Sequence, residues 1–570
     1  MTDYSSTARS PDTLLSKAKW SPDGWTIGAL FTALLISAPI AAVFFIAMAP
    51  SNGIWTHLAS TVLPHYVWTT VFLMSGVGIG TLVIGTGTAW LVTMCRFPGR
   101  RFFEWALVLP LAVPAYVIAY VYTDLLEFSG PVQVVLRDTF GWGNRQDYWF
   151  PEIRSLGGAI TMMTLVLYPY VYLLARAAFL EQSVCVLEVS RTLGKTPWQS
   201  FRDVAFPLAR PAVIAGVSLV MMETLNDFGT VDYFAVATLT AGIYDVWLNM
   251  SSVSGAAQLA SVMMTFVIVL IGMERLARRG RRFHNTGAKY SVLPDMQLHR
   301  AKAWFATLSC TLPIIFGFLV PAYVLADYSL DFYADALAGD FLTYMRNSLV
   351  LATLSAGIAV LIGLFLAYAI RLRNSTALHA AARVASIGYA VPGAVLAIGV
   401  MLPLTRLDHA INDTIEGITG FSTGLIFSGT VFAMILGYLV RFLALSFGTL
   451  EASLGKITAN MDGASRTLGH GPATTLIRIH IPIMRSSVLT AAILVFVDVM
   501  KELPMTMLLR PFNFETLATY VHQYASDELL EECALGALSI VAAGIIPVII
   551  LSAAITRSRP GSRKSACSTA

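Results

Sequence analysis

The sequence predicts an all-α protein that crosses a membrane many times. Hydrophobic residues make up 56% of the 570 positions and charged residues only 13%, and the mean hydropathy is +0.68. A soluble globular chain carries about 25% charged residues, so the composition excludes that class. Twelve apolar runs are each long enough to cross about 30 Å of hydrocarbon at about 1.5 Å per helical residue.

These runs fall into two groups of six. The first group covers residues 25–49, 66–94, 103–128, 156–180, 211–235 and 258–277, and the second covers 303–327, 344–370, 383–405, 422–448, 486–509 and 533–556. The first run is too long for a signal peptide, and Pro50 is a poor residue after a cleavage site, so we expect a retained span. The predicted organisation is an N-terminal tail (1–24), a first six-span half (25–280), a basic linker (281–302), a second half (303–556) and a C-terminal tail (557–570).

The two halves are repeats of one unit. Ser-Arg-Thr-Leu-Gly occurs at 190–194 and again at 465–469, and in both copies a Pro follows the Gly by 13 positions. Three further pairs are 278 apart, against 275 for this motif: Pro114 and Pro392, Gly85 and Gly363, and Tyr66 and Tyr344. Two copies at one spacing indicate a duplication.

Each copy predicts a helix, a sharp turn at a Gly with positive φ, a second amphipathic helix and a Pro that opens the next span. The predicted loops cover about 181–210 and 450–485. One interpretation is a pair of amphipathic helices on the membrane surface, for which basic residues such as Lys195 and Arg202 are ordinary. The identical repetition favours a second interpretation, a pair of docking sites for a partner.

The repeated pattern resembles the cytoplasmic "EAA" loop of ABC-importer permeases, which docks into a partner ATPase. The resemblance implies contacts through Glu188, Ser190, Arg191, Leu193, Gly194 and Pro207 in the first copy, and through Asp462, Ala464, Ser465, Arg466, Leu468, Gly469 and Pro482 in the second. The second copy departs from the family pattern, because Gly463 stands at the position of Glu188. We therefore expect two ATPase contacts of unequal strength.

The distribution of Lys and Arg predicts the orientation, because basic loops stay cytoplasmic. With both termini inside, most basic residues are cytoplasmic, including the cluster at 275–302 and the tail at 557–564, and both repeated loops lie on that side. The predicted outer loops are instead rich in acidic residues, such as Asp327, Asp331, Asp335 and Asp340. The net charge of +4 is thereby explained by contact with the lipid of the inner leaflet, and no nucleic-acid partner is expected.

Neither a cofactor nor an enzyme site is predicted. The five cysteines are isolated, without metal-site or disulfide spacing. Gly194-Lys195-Thr196 resembles the end of a phosphate-binding loop, but Val189 occupies the place of the required Gly. The sequence contains no hydrolase or protease motif, so ATP and Mg²⁺ are expected only on partner subunits.

Acidic residues follow both repeated loops inside the next span. Glu223 and Asp227 are matched at an offset of 275 by Asp498 and Glu502, and residues at i and i+4 share a helix face. Each costs about 2.5–3.5 kcal/mol to insert in a membrane. Two interpretations stay open: the acids pair with Lys501 or cap the backbone before Pro504, or they line a cation path and contact a metal ion transiently.

The segments around these acids look like those of the ferric-iron importer permeases, at residues 227–233, 238–244, 501–511 and 514–518. That family is similar in having two six-span halves fused in one chain. The resemblance implies the type I importer fold in a bacterial inner membrane, two copies of an ABC ATPase and a periplasmic or lipid-anchored ferric-binding protein. Ferric iron is a hard cation for which carboxylate oxygens are suitable ligands.

Several rival functions share these features. Thiamine and polyamine importers carry the same loop and move cations, whereas an aminoethylphosphonate importer would have to pass an anion beside four acids. A proton-coupled secondary transporter would also use duplicated halves and intramembrane acids, but it gives no reason for two docking loops. A structural scaffold explains neither feature.

Overall fold

The computed structural model describes residues 24–51, 53–181, 190, 192–278, 296–373 and 375–557. These residues are mostly helical, as expected of a chain that must satisfy its backbone hydrogen bonds inside lipid. Within these described ranges, ten helices are long and apolar enough to cross a membrane, or up to twelve if each of two bent helix pairs is one span. One short parallel ladder joins Cys95–Arg96 to Met296–Gln297.

The α-helices divide between the two repeats. Up to residue 278 they are Gly24–Ala47, Ile54–Ser60, Leu63–Met94, Arg100–Ala106, Ala115–Leu126, Pro131–Phe140, Leu156–Glu181, Pro197–Ser200, Phe206–Asn226, Gly229–Tyr233, Leu239–Tyr244 and Val253–Arg278. After the linker they are Ala301–Ile314, Val320–Ala338, Phe341–Arg373, Thr376–Ala385, Gly393–Thr419, Val431–Leu454, Ala459–Thr467, Pro472–Thr475, Ile481–Ile483, Arg485–Met500, Pro504–Leu509, Leu517–Ser526 and Leu530–Arg557.

Irregular helical turns recur at the offsets found in the sequence. The 3₁₀ turn Leu109–Ala112 is matched by Ile387–Ala390, 278 positions later. The π turn Phe201–Ala205 is matched by Leu476–His480, 275 positions later. Such turns are uncommon and mark particular local sequences, so the duplication extends from the sequence to backbone detail.

The spans predicted at 211–235 and 486–509 are interrupted. The first helix ends at Asn226 and the chain resumes as Gly229–Tyr233, while the second ends at Met500 and resumes as Pro504–Leu509. Asp227 and Glu502 therefore lie beyond the ends of these helices. The expectation that each pair of acids shares one continuous helix face is wrong.

The first long helix of each repeat packs against the other repeat. Gly24–Ala47 contacts Thr376–Ala385 and Gly393–Thr419, besides Val253–Arg278 of its own repeat. Ala301–Ile314 contacts Leu63–Met94 and Arg100–Ala106. The approach is closest at Gly399, where a Cβ atom would lie 2.1 Å from the carbonyl oxygen of Pro39. Only a residue without a side chain fits this crossing.

Candidate functional site

The four acidic residues singled out from the sequence line one cavity of about 100 Å³. The cavity lies where the interrupted helices of the two repeats meet, and two cationic side chains also line it. Its ionisable lining, apart from tyrosines, consists of Glu223, Asp227, Asp498, Glu502, Arg441 and Lys501. With four carboxylates and two cations ionised, its formal charge is 4 × (−1) + 2 × (+1) = −2.

Two of these acids cap the short helices that follow the interruptions. Asp227 accepts hydrogen bonds from the backbone N–H and the hydroxyl of Thr230, at 2.9 and 3.0 Å. Glu502 accepts from the N–H groups of Met505 and Thr506, at 3.1 and 3.0 Å. The first N–H groups of a helix lack partners within the helix, so both carboxylates stabilise the backbone at equivalent places.

Both acids of the second repeat are paired with cations. The ammonium of Lys501 lies 2.9 Å from Asp498 Oδ1, and Nη1 of Arg441 lies 3.0 Å from Glu502 Oε1. A buried charge is tolerated when it is paired and hydrogen-bonded. The expected pairing of Lys501 is thus confirmed for Asp498, whereas Glu502 is paired with Arg441 instead.

Three residues of this cavity were missed from the sequence. Arg441 Nη1 also donates to Asn226 Oδ1 at 2.9 Å, and the Tyr389 hydroxyl donates to Glu223 Oε1 at 3.2 Å. Arg441 could have been found as a charged residue inside the apolar run 422–448. Asn226 and Tyr389 carried no such signal, because neither is unusual in a transmembrane helix.

The predicted turns of the repeated loops are confirmed. Gly194 has φ = 77° and Gly469 has φ = 81°, the left-handed region that residues with a Cβ rarely enter. Lys195 N–H donates to the Ser190 carbonyl at 3.2 Å, and the equivalent bond in the second copy is 3.1 Å. This six-residue closure is the Schellman ending of a helix, which fixes the angle at which the chain leaves it.

The residues predicted to dock divide into buried and exposed groups. Ser190 shares a hydrogen bond of 2.7 Å with Ser200, and Ser465 shares one of 2.7 Å with Thr475. These buried bonds hold the two arms of each loop together. Leu193 and Leu468, by contrast, are 74% and 75% exposed.

The remaining predicted docking residues are placed as follows. Ala464 and Arg466 are exposed, and Gly194 and Gly469 lie at the exposed turns. Pro207 and Pro482 lie in the first turns of the helices Phe206–Asn226 and Ile481–Ile483. Glu188 and Arg191 lie outside the described residues.

Asp462 is tied to its own repeat. Its carboxylate accepts from Arg371 Nε at 2.9 Å and lies 2.7 Å from His480 Nε2. In the first loop the partly exposed Lys195 donates to Asp203 at 2.7 Å. Asp462 thus anchors the second loop to the helix Phe341–Arg373, a role that the sequence did not indicate.

Across the described ranges, no group of three or more His, Cys, Asp or Glu side chains is arranged to hold a metal ion. The capping and pairing bonds explain this, because they direct three of the four carboxylates toward protein partners. A transient contact between these acids and a passing ion stays a prediction.

Repeated membrane-length helices, an acidic cavity between the repeats and two matched exposed turns define a multi-span membrane protein built for transport. Residues 81–282 match the family model described as "Binding-protein-dependent transport system inner membrane component". The chain is 30% identical over 216 residues to the sulfate transport system permease protein CysW of Escherichia coli K12, covering 37% of this chain and 70% of that protein. The chain belongs to this family of inner membrane transport components.

Two relatives match over most of their length. The Fe(3+)-transport system permease protein FbpB 2 of Haemophilus influenzae is 27% identical over 489 residues, covering 85% of this chain and 88% of that protein. The ferric transport system permease protein FbpB of Actinobacillus pleuropneumoniae is 23% identical over 546 residues, covering 89% of this chain and 74% of that protein. The chain is therefore a multi-pass inner membrane permease subunit of an ABC import system.

Proposed function

We propose that this permease moves ferric iron, delivered by a periplasmic or lipid-anchored binding protein, into the cytoplasm. The observation that carries the proposal is the meeting of four carboxylates from two repeats in one small cavity. The long matches to two permeases named for ferric transport support the same substrate.

The charge of the cavity favours a cation over an anion. The formal charge of −2 derived above repels an oxyanion such as sulfate, the substrate named for a relative that matches 37% of the chain. Inside a protein such charges act through a dielectric lower than that of water, which strengthens both attraction and repulsion. A cationic cargo is stabilised in the same place.

The volume of the cavity favours an ion over an organic cation. Pockets that enclose drug-sized organic ligands measure about 300–1,000 Å³, whereas this cavity measures about 100 Å³. It holds an ion with a few waters, but it would have to widen considerably for thiamine or a polyamine. The small cavity volume therefore favours iron over thiamine or a polyamine as the substrate.

Coupling to ATP is proposed through the two exposed turns. Leu193 and Leu468 are presented at equivalent positions 275 residues apart, as two copies of one ATPase would require. In this proposal ATP and Mg²⁺ bind those partner subunits, and this chain hydrolyses nothing. Closure of the ATPase pair on ATP moves the two repeats relative to one another.

The proposed topology counts each bent helix pair as one span. The pairs are Arg100–Ala112 with Ala115–Phe140, bent by 88°, and Pro472–Ile483 with Arg485–Met500, bent by 82°. The chain then has twelve spans, six in each repeat, and both termini and both turns are cytoplasmic because basic loops stay inside.

Reconstitution tests the proposed function. The chain is placed in proteoliposomes with its partner ATPase and binding protein, and uptake of radiolabelled ferric iron, thiamine and putrescine is measured. We expect iron uptake that requires ATP and both partners. Uptake of an organic cation without iron, or iron uptake driven by a pH gradient in the absence of the ATPase, would refute the proposal.

A further inference from the structure

Positive charge is distributed unequally between the two repeats. Carboxylates reach the cavity in equal numbers, two from each repeat, but both cationic side chains come from the second. At the corresponding positions of the first repeat, 275 residues earlier, stand Val166 and Asn226, which also line the cavity. The two repeats therefore have equivalent backbones but place different charges in the cavity.

The consequence is that the second repeat neutralises its own acids. Asp498 is paired with Lys501 at 2.9 Å, and Glu502 with Arg441 at 3.0 Å. In the first repeat, Asp227 is occupied by hydrogen bonds from Thr230. This leaves Glu223 as the one acid of the cavity that has neither an ion pair nor a helix-capping bond within the described residues.

Glu223 has one hydrogen-bond partner among the described residues. That partner is the hydroxyl of Tyr389, at 3.2 Å, a neutral donor from the opposite repeat. A carboxylate has lone pairs for about four hydrogen bonds or metal contacts, so most of its capacity is unused by protein. No Lys or Arg of the described chain forms a salt bridge with it.

A second polar group in the cavity is also unsatisfied. Tyr116 is only 4% exposed, lines the same cavity, and its hydroxyl has no hydrogen-bond partner in the described chain. Leaving a buried hydroxyl without a partner costs about 1–3 kcal/mol, so such groups usually have a ligand or water to bind. Phenol and carboxylate oxygens are both hard donors, as a trivalent cation prefers.

We propose that the cargo cation binds in this cavity to the carboxylate of Glu223, and that the hydroxyl of Tyr116, also from the first repeat, supplies a second oxygen from the lining of the same cavity. Arg441 and Lys501 are built-in counter-cations that keep the acids of the second repeat out of cargo binding. This inference rests on the proposed function and assigns its binding step to one repeat. The cargo is held weakly because few protein ligands contact it, which suits a site that must release it.

Uptake of radiolabelled ferric iron by the complete reconstituted complex tests the inference. We expect Glu223→Gln to lower the initial rate about tenfold or more, and Glu223→Asp, which keeps the charge, to lower it less. The double variant Asp498→Asn/Lys501→Met removes a neutral pair from the symmetry-related place, and we expect it to lose less than about threefold. A loss in the double variant as large as that in Glu223→Gln would overturn the one-sided site.

A matched pair of variants tests the tyrosine. Tyr168 also has a buried hydroxyl without a partner among the described residues, but it does not line the cavity. We expect Tyr116→Phe to weaken iron uptake several-fold and Tyr168→Phe to leave it unchanged, with equal membrane abundance for both. Equal uptake by the two variants would exclude Tyr116 from the site.

The two proposals fail in different ways. If the wild-type complex takes up no iron, the proposed function is wrong. If it does take up iron, but the Glu223 and Asp498/Lys501 variants are equally impaired, only the one-sided site is wrong. Stimulation of ATP hydrolysis by the binding protein, measured on each variant, shows that docking and coupling are intact.

Discussion

Arg441 joins the two repeats through Asn226. One guanidinium nitrogen donates to Asn226 Oδ1 at 2.9 Å and to Glu502 Oε1 at 3.0 Å, and the backbone N–H of Gly393 donates to the same amide oxygen at 2.6 Å. Two donors of the second repeat thus converge on one acceptor of the first. When the repeats move relative to one another, these hydrogen bonds must either break or be preserved by joint movement of the three residues.

Arg441→Met should destabilise the protein. It leaves Glu502 charged and unpaired in a buried place, and breaking a buried pair typically costs about 3–5 kcal/mol. We expect a large fall in membrane abundance, measured by quantitative immunoblot, and recovery in Arg441→Met/Glu502→Gln, where Gln keeps an oxygen for the helix cap. The control is Arg145→Met, because the Arg145–Glu152 pair is 67% exposed on both sides and such pairs contribute little. Wild-type abundance of the single Arg441 variant would contradict the buried pairing.

The turns of the docking loops should depend on their glycines. Gly194→Ala and Gly469→Ala place a Cβ at φ near +80°, which costs about 1–2 kcal/mol, although neither Cβ would clash. We expect weaker capture of the ATPase in pull-down at normal membrane abundance. Gly357→Ala is the matched control, since Gly357 lies in the helix Phe341–Arg373, outside the docking loops, with open space around it, and Ala favours helix. Equal capture by all three variants would show that the turns are not needed for docking.

The exposed leucines should contribute directly to ATPase binding. Burial of a leucine side chain contributes about 1.5–3 kcal/mol, so Leu193→Ser or Leu468→Ser should each weaken binding about tenfold or more. Binding of the purified ATPase to the permease in nanodiscs, followed by biolayer interferometry, measures this loss. Phe512→Ser, which changes a fully exposed apolar side chain in the loop before Leu517–Ser526, should bind normally. If neither leucine variant binds the ATPase more weakly than Phe512→Ser does, the ATPase docks on another surface.

The crossing of Gly399 and Pro39 should not tolerate a side chain. In Gly399→Ala the new Cβ would lie 2.1 Å from the Pro39 carbonyl oxygen, so the helices must separate, at a cost of about 1–3 kcal/mol for overpacking. We expect a lower thermal unfolding temperature in detergent. Gly448→Ala, where nothing lies within 4 Å, should unfold like the wild type. If both variants unfold alike, the two helices are not packed as described.

Local features of the fold could be predicted from the sequence. The turn at Gly194 and Gly469 depends on a few neighbouring residues, and duplication made it visible twice. The offset of 275 indicated that Glu223 and Asp498 are equivalent positions of the two repeats, whereas their meeting in one cavity is seen only in the structure.

The partners of the acids that lie far away in the sequence could not be predicted, unlike Lys501 beside Asp498. Arg441 and Glu502 are 61 residues apart in the chain, and Asn226 is 215 residues from Arg441. Such contacts depend on how helices pack, which hydropathy does not encode. Capping of the backbone before Pro504 was one of the two interpretations, and Glu502 does cap it. The interruption after Asn226 was missed, because the sequence there has no Pro to indicate it.

The first long helix of each repeat packs against the other repeat, and this arrangement affects the order in which the protein assembles. Gly24–Ala47 is synthesised well before its partner, because the close contact of Pro39 requires Gly399, 360 residues later in the sequence. At bacterial elongation rates of about 5–20 residues per second, the helix waits roughly 20–70 s for this partner. During that time the face that it later buries is open to lipid and to other chains in the membrane. Its retention in the bilayer must be supported meanwhile by its own hydrophobicity and, once synthesised, by the helix Val253–Arg278.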